Sequence, residues 1–141
     1  MKQIRIKLID GGQAPVYKTA DAACADCYAS VIDDTTIYVG DRKLIPLGFA
    51  IQLPKGYEAV IRPRSGLSKN KVDVATGVID ADYRGEVMAN VINNSSEPFV
   101  VHRGDRICQM KIQVAEQFSF VAVPELDQTE RGDGGFGHTG I

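Results

Sequence analysis

Near the start of the chain Ile4, Ile6 and Leu8 alternate with Arg5 and Lys7. This period of two turns one apolar face of a strand inward. Thr36-Ile37-Tyr38-Val39 is β-branched and aromatic and runs into the breaker Gly40-Asp41, a strand with its terminator. Residues 44–53 are mostly apolar; Pro46 marks an edge or a strand start within the run, and Pro54 closes it. The pattern predicts further strands at 57–62, 85–93, 99–102, 107–114 and 118–124. Turn chemistry separates several of them, at Pro54-Lys55-Gly56, at Asn93-Asn94-Ser95-Ser96 and at Arg103-Gly104-Asp105. Many short strands joined by Gly, Pro and Asn turns predict an all-β sandwich, barrel or jelly roll. The Ala-rich stretch 20–29 has helix propensity instead, and no internal repeat is visible.

The pattern stops near the end. Arg131 to Gly140 reads RGDGGFGHTG, with almost nothing to bury and too much chain entropy to lose on packing. Residues 1–126 are therefore read as one β domain and 127–141 as a mobile C-terminal arm. Arg131, Phe136, His138 and Thr139 sit among the arm's glycines, groups suited to gripping phosphate and stacking on a base.

Composition narrows the class. The chain has 141 residues, 44% hydrophobic and 24% charged, which suits one soluble domain with a modest core. A net charge of -2 lacks the basic footprint of a nucleic-acid binder, although local arginines and N–H groups can still hold a phosphate-rich small molecule. Charges interrupt each apolar run of the N-terminal segment, so neither a signal peptide nor a membrane partner is expected. Cys24, Cys27 and Cys108 are too few for a disulfide framework and read as reduced thiols of a cytoplasmic protein. Cys24 and Cys27 form a C-x-x-C pair, but with Cys108, His102 and His138 they match no common zinc spacing.

Three stretches carry chemistry. Arg64-Ser65-Gly66-Leu67 follows a predicted strand, and successive N–H groups beside a Gly form an anion-binding nest. In Gly77-Val78-Ile79-Asp80-Ala81-Asp82-Tyr83-Arg84-Gly85 two glycines bracket two carboxylates and a tyrosine, a hairpin-like arrangement between apolar strands. Val78 and Ile79 would anchor Asp80 on a rigid strand end, where a positioned base is useful. In Gly104-Asp105-Arg106-Ile107-Cys108-Gln109 a turn opens a strand; from the residues alone, Asp105 and Arg106 read as fold or interface charges.

Taken in order, residues 23–27, 64–67, 77–85, 104–109 and 131–140 resemble the five motifs of the trimeric dUTP diphosphatase family. The third and fifth match nearly in full. The first departs from the pattern, with Cys24 where the family has Gly and Cys27 where it has Leu, while Asp26 is kept; His138 stands where Ser is frequent. The resemblance implies a jelly-roll-like β-barrel and a homotrimer whose active sites are shared between chains, with the arm crossing to close them. It also implies Mg²⁺-dependent hydrolysis of dUTP to dUMP and pyrophosphate, which keeps uracil out of DNA and supplies dUMP for thymidylate synthesis. Asp80 would be the general base for water attack on the α-phosphorus. Arg64, Ser65, Gly66, Gln109 and Arg131 would hold the triphosphate, and Gly77, Val78 and Ile79 would read uracil through their main chain. Tyr83 would lie against the deoxyribose, Met88 would line the pocket, and Phe136 would stack on the base. Gly137, His138 and Thr139 complete the arm's substrate contacts, while Asp26 and Gln109 would reach the Mg²⁺ through water.

Two alternatives share the fold. A dCTP deaminase follows its Ile-Asp with Pro-Gly-aromatic and carries a catalytic Glu ten residues after the Asp; here Ala81-Asp82-Tyr83 follows Asp80 and position 90 is Asn90. Loss of Asp80 or of the arm would favour a non-catalytic, nucleotide-sensing protein, and both are present.

Overall fold

The computed structural model describes residues 2–135. In chain order the elements are β1 (Arg5–Leu8), β2 (Ala25–Tyr28), β3 (Thr35–Ile37), β4 (Arg42–Pro46), β5 (Phe49–Gln52) and β6 (Tyr57–Arg62), the single-turn helix α1 (Ser65–Ser68), then β7 (Val72–Val74), β8 (Gly77–Ile79), β9 (Met88–Asn93), β10 (Phe99–Val101) and β11 (Arg106–Val114). The chain is all-β, as its alternation predicts. The ladders form four antiparallel sheets with strand orders β1-β5, β10-β3, β2-β11-β6-β8 and β4-β9-β7.

One apolar core joins the sheets, with Phe49, Ile37, Ile45, Leu47, Ile61 and Ile107 fully buried at its centre. The nine-residue β11 organises the largest sheet, because it pairs with β2 on one side and β6 on the other. Its register sets Gln109 opposite both Asp26 and Arg62. A bulge between Arg106 and Cys108 re-aims the strand's first residue, as bulges do.

Four local expectations are corrected. Residues 20–29 contain no helix; Ala25 and Cys27 are buried, alternating with Asp26 and Tyr28 in β2, so burial against β11 overrides alanine's helix preference. Residues 118–124 form no strand, and Phe118 and Phe120 lie exposed without a sheet to join. All four residues of β1 are exposed, so the apolar face expected to turn inward is not buried at Ile6 and Leu8. The segment after β8 is not a hairpin: β8 pairs with β6, whereas β9 pairs with β4 and β7, so residues 80–87 carry the chain from one sheet to another.

Two buried contacts tie the sheets. Asn93, fully buried at the end of β9, donates from Nδ2 to the carbonyls of Ile37 and Glu97 and accepts from the Ser95 N–H and hydroxyl. Gly48 takes φ 71° in the turn between β4 and β5, and a Cβ there would meet Ser30 Oγ at 2.5 Å and Gly12 Cα at 2.6 Å; only glycine fits both the conformation and the space. Asn93→Ala strands two carbonyls and an N–H and is expected to lower unfolding free energy by about 2 kcal/mol or more, read from the midpoint of urea denaturation.

Candidate active site

The polar residues singled out in the sequence fall into two groups. The first lies at one end of the β2-β11-β6 rows. Arg64 follows β6 in extended conformation, φ -97° and ψ 135°, and turns its side chain back over the sheet. Its Nε lies 3.3 Å from Asp26 Oδ1, and its Nη1 donates to the Arg106 carbonyl at 2.7 Å. Arg106 Nη1 meets the other Asp26 oxygen at 3.1 Å. Two guanidinium groups thus share one carboxylate, and the excess positive charge, partly open to solvent, is a cradle for an anion. Gln109 donates from Nε2 to the Pro63 carbonyl at 2.8 Å, fixing the strand end that carries Arg64. Ser65 and Gly66 open α1 and are exposed; the first N–H groups of such a turn have no partner within it.

Arg106 was not among the binding residues expected from the sequence, where it reads as a fold charge. Its part in the cradle depends on strand pairing across β2 and β11, which no local spacing reveals. Asp105 does serve the fold: its carboxylate accepts the His102 N–H at 2.8 Å, and its carbonyl accepts that of Ala29 at 2.8 Å.

The second group surrounds a cavity of about 190 Å³ lined by Ile61, Gly77, Val78, Ile79, Asp80, Tyr83, Glu86, Val87 and Met88. It opens where β8 gives way to the 80–87 crossing. Ile79 is buried and pins the end of β8, so Asp80 begins from a fixed point. The Tyr83 N–H closes a turn on the Asp80 carbonyl at 3.1 Å, and Arg84 Nη1 donates to the carbonyls of Ala81 and Tyr83, both at 2.8 Å. Asp80 itself is exposed. Among the described residues no cation pairs with its carboxylate. β8 is the last strand of its sheet, so one edge of its main chain keeps donors and acceptors for a ligand.

Within one chain the two groups do not meet. Asp80 follows Ile79, which pairs with Ala59, and therefore lies level with Glu58; Arg64 is six residues farther along the chain, just past the end of β6 and still extended. At the usual rise per residue the separation is roughly 20 Å.

The remaining candidates are apart from both. Arg131 Nε donates to the Gly134 carbonyl at 2.8 Å within a local turn. Phe136, Gly137, His138 and Thr139 lie outside the described residues. The cysteines are all free. Hydrogen bonding to Cys108, and then burial, holds the Cys27 thiol far above its ordinary value, which disfavours the thiolate form. A larger cavity of about 840 Å³ lies among Lys2, Tyr17, Lys18, Pro54, Tyr57 and Ile112 and contains none of the candidate residues.

Comparison with known proteins matches the chain to a family. The model of the dUTPase family covers residues 10–140. A protein of Finegoldia magna named deoxyuridine 5'-triphosphate nucleotidohydrolase is 44% identical over 142 residues, spanning 97% of this chain and 99% of its own. One of the same name from Desulfotalea psychrophila is 49% identical over 130 residues, with 90% and 87% covered. Among solved structures, a mutant dUTPase of Staphylococcus bacteriophage 80alpha, determined with dUpNHpp, superimposes with a TM-score of 0.89 at 22% identity over the whole of both chains. A mutant dUTPase of phage phi11 of S. aureus, described with a structural Mg(II) ion, gives 0.83 at 19% identity, covering 90% of this chain and all of its own. At that identity the structures speak for the fold; the family model and the two bacterial relatives carry the assignment. The chain belongs to the dUTPase family.

Proposed function

We propose that this protein hydrolyses dUTP to dUMP and pyrophosphate. The observation that carries the reading is Asp80, an unpaired carboxylate held at the mouth of a nucleoside-sized cavity, in a chain whose relatives bear the name deoxyuridine 5'-triphosphate nucleotidohydrolase. A cavity of about 190 Å³ is below the size range of drug-sized sites, about 300–1,000 Å³, and suits the nucleoside with its phosphates outside.

In this reading the free edge of β8 meets the uracil edge through the main chain of Gly77, Val78 and Ile79. Cytosine would set a donor against a donor and leave buried groups unpaired. Tyr83 bounds the sugar and Met88 the base. Asp80 takes a proton from the water that attacks the α-phosphorus, while Arg64, Arg106, Ser65, Gly66 and Gln109 hold the phosphates as charge shifts to the leaving pyrophosphate. The arm, with Arg131, Phe136, Gly137, His138 and Thr139, closes over the nucleotide and limits access of other water.

Mg²⁺ would be held chiefly by the substrate's phosphates. Among the described residues no group of three or more His, Cys, Asp or Glu side chains gathers to hold an ion. Magnesium bound to phosphates keeps most of its waters, and Asp26 and Gln109 suit contact with those waters. When bound, the ion would neutralise charge on the phosphate oxygens.

The roughly 20 Å between Asp80 and Arg64 bears on assembly. The α-phosphorus is one ester linkage from the sugar, so base and cradle must act within a few ångströms of each other. A homotrimer that sets the pocket of one chain against the cradle of the next meets this demand, and closed symmetry supplies three such sites. Ile6, Leu8, Leu44, Phe118 and Phe120, exposed on a single chain, are apolar surface for such contacts. Three free thiols support a reducing, cytoplasmic setting.

Chromatography of products formed from dUTP, dCTP, dTTP and UTP with Mg²⁺ tests the reading. Selective release of dUMP and pyrophosphate is expected; dUTP appearing from dCTP, or no product at all, would contradict it. Asp80→Asn should lower kcat by roughly 10²-fold or more while nucleotide binding, followed by calorimetry, changes little. Truncation after Glu130 should abolish most turnover and leave the melting temperature within a few degrees of the full chain, since none of Arg131 to Gly135 is buried.

A further inference from the structure

Glu86 has no role in the family resemblance drawn above, yet it lines the nucleoside cavity. It is half-buried, and among the described residues no Lys, Arg or His pairs with it. Its carboxylate reaches across the sheet boundary: Oε1 accepts the Gly48 N–H at 3.0 Å. Gly48 is a fixed point, wedged against Ser30 and Gly12 at a conformation suited only to glycine. Its carbonyl is also engaged, accepting the Ile9 N–H at 2.9 Å.

The same residue holds Tyr83. The Tyr83 hydroxyl donates to the Glu86 carbonyl at 3.0 Å. The phenol lies over Gly85 so closely that a Cβ there would be 2.3 Å from its oxygen. The sugar wall of the cavity is therefore linked to the core by a chain of contacts, from Tyr83 through the main chain and carboxylate of Glu86 to Gly48. One residue later the backbone is secured independently, by Leu47 N–H to the Val87 carbonyl at 3.1 Å and Val87 N–H to the Phe49 carbonyl at 2.8 Å. Loss of the Glu86 carboxylate should thus loosen the Tyr83 wall and leave β9 in place.

We propose that Glu86 is a positioning residue that sets discrimination against the ribose 2′-hydroxyl, by clamping the Tyr83 wall to the Gly48 turn. The inference rests on the dUTP reading above. Because the Gly48 N–H needs an acceptor and not a charge, glutamine at position 86 keeps the clamp; alanine removes it, and aspartate is one methylene too short to reach.

The test is steady-state kinetics on dUTP and UTP for the full-length protein and for E86A, E86D and E86Q, with melting temperatures measured alongside. E86A and E86D should raise kcat/KM for UTP relative to dUTP by roughly tenfold, with most of the dUTP change in KM and little in kcat, and E86Q should return both to the wild-type ratio. A merely structural role would lower the melting temperature without moving the ratio. Tyr83→Phe, which removes the hydroxyl anchor but keeps the ring, should shift the ratio in the same direction even if E86A fails to fold. Wild-type discrimination in E86D or Tyr83→Phe, or an E86Q variant as permissive as E86A, would overturn the proposal. Wild-type protein that leaves dUTP intact would overturn the functional reading, and this inference with it.

Discussion

The register of β11 between β2 and β6 is the constraint on which the rest depends. It sets Gln109 level with Asp26 on one side and Arg62 on the other, so that the chain leaving β6 delivers Arg64 to the Asp26 carboxylate. A slip of one residue would turn these side chains to the other face of the sheet and take Cys27 and Cys108 out of the core. The bulge before Cys108 adds Arg106 to the same carboxylate. The cradle is thus a consequence of strand pairing, which brings Asp26, Arg64 and Arg106 together from three separate segments.

The same sheet explains why the cradle and the cavity stand apart. β8 pairs with β6 alone and runs antiparallel to it, so the farther β8 extends toward Asp80, the farther it lies from Arg64. The free edge of β8 and the 80–87 crossing then form a pocket at a seam between two sheets, where main-chain groups remain available without breaking either ladder. A fold of this kind sets the cavity beside Asp80 at one end of a sheet and the Arg64–Arg106 cluster at the other. Joining chains is a natural way to bring unlike ends together, and each chain leaves apolar surface exposed that such joining would cover.

Much of this is legible in the order of residues. The strands expected at 57–62 and 107–114 coincide with β6 and β11, and the β-branched run 36–39 overlaps β3, because their apolar residues fill the core the sheets share. Asp80 is visible as a carboxylate at the end of an apolar strand. Elsewhere local pattern misleads. Alanine's preference for helix at 20–29 yields to the burial of Ala25 and Cys27 against β11. At 118–124 the strand-like composition has no partner within the chain and stays irregular. The segment 77–85 looks like a hairpin because it is short and rich in glycine and acids, but the partners of β8 and β9 lie in different sheets. Arg106 and Glu86 are missed for one reason: each acts on a residue distant in the chain, Asp26 and Gly48 respectively, and only the assembled sheets bring them near.

The central claim is that cavity and cradle work together across chains and not within one. Asp80→Asn and Arg64→Ala variants, each purified and close to inactive, can be unfolded together, refolded as a mixture and assayed on dUTP. Mixed assemblies contain interfaces that join an intact Asp80 to an intact Arg64, and the account predicts that activity returns well above either parent alone. A mixture as inactive as its parents, although size and mass analysis show that chains have exchanged, would mean that both residues act from the same chain and would contradict it.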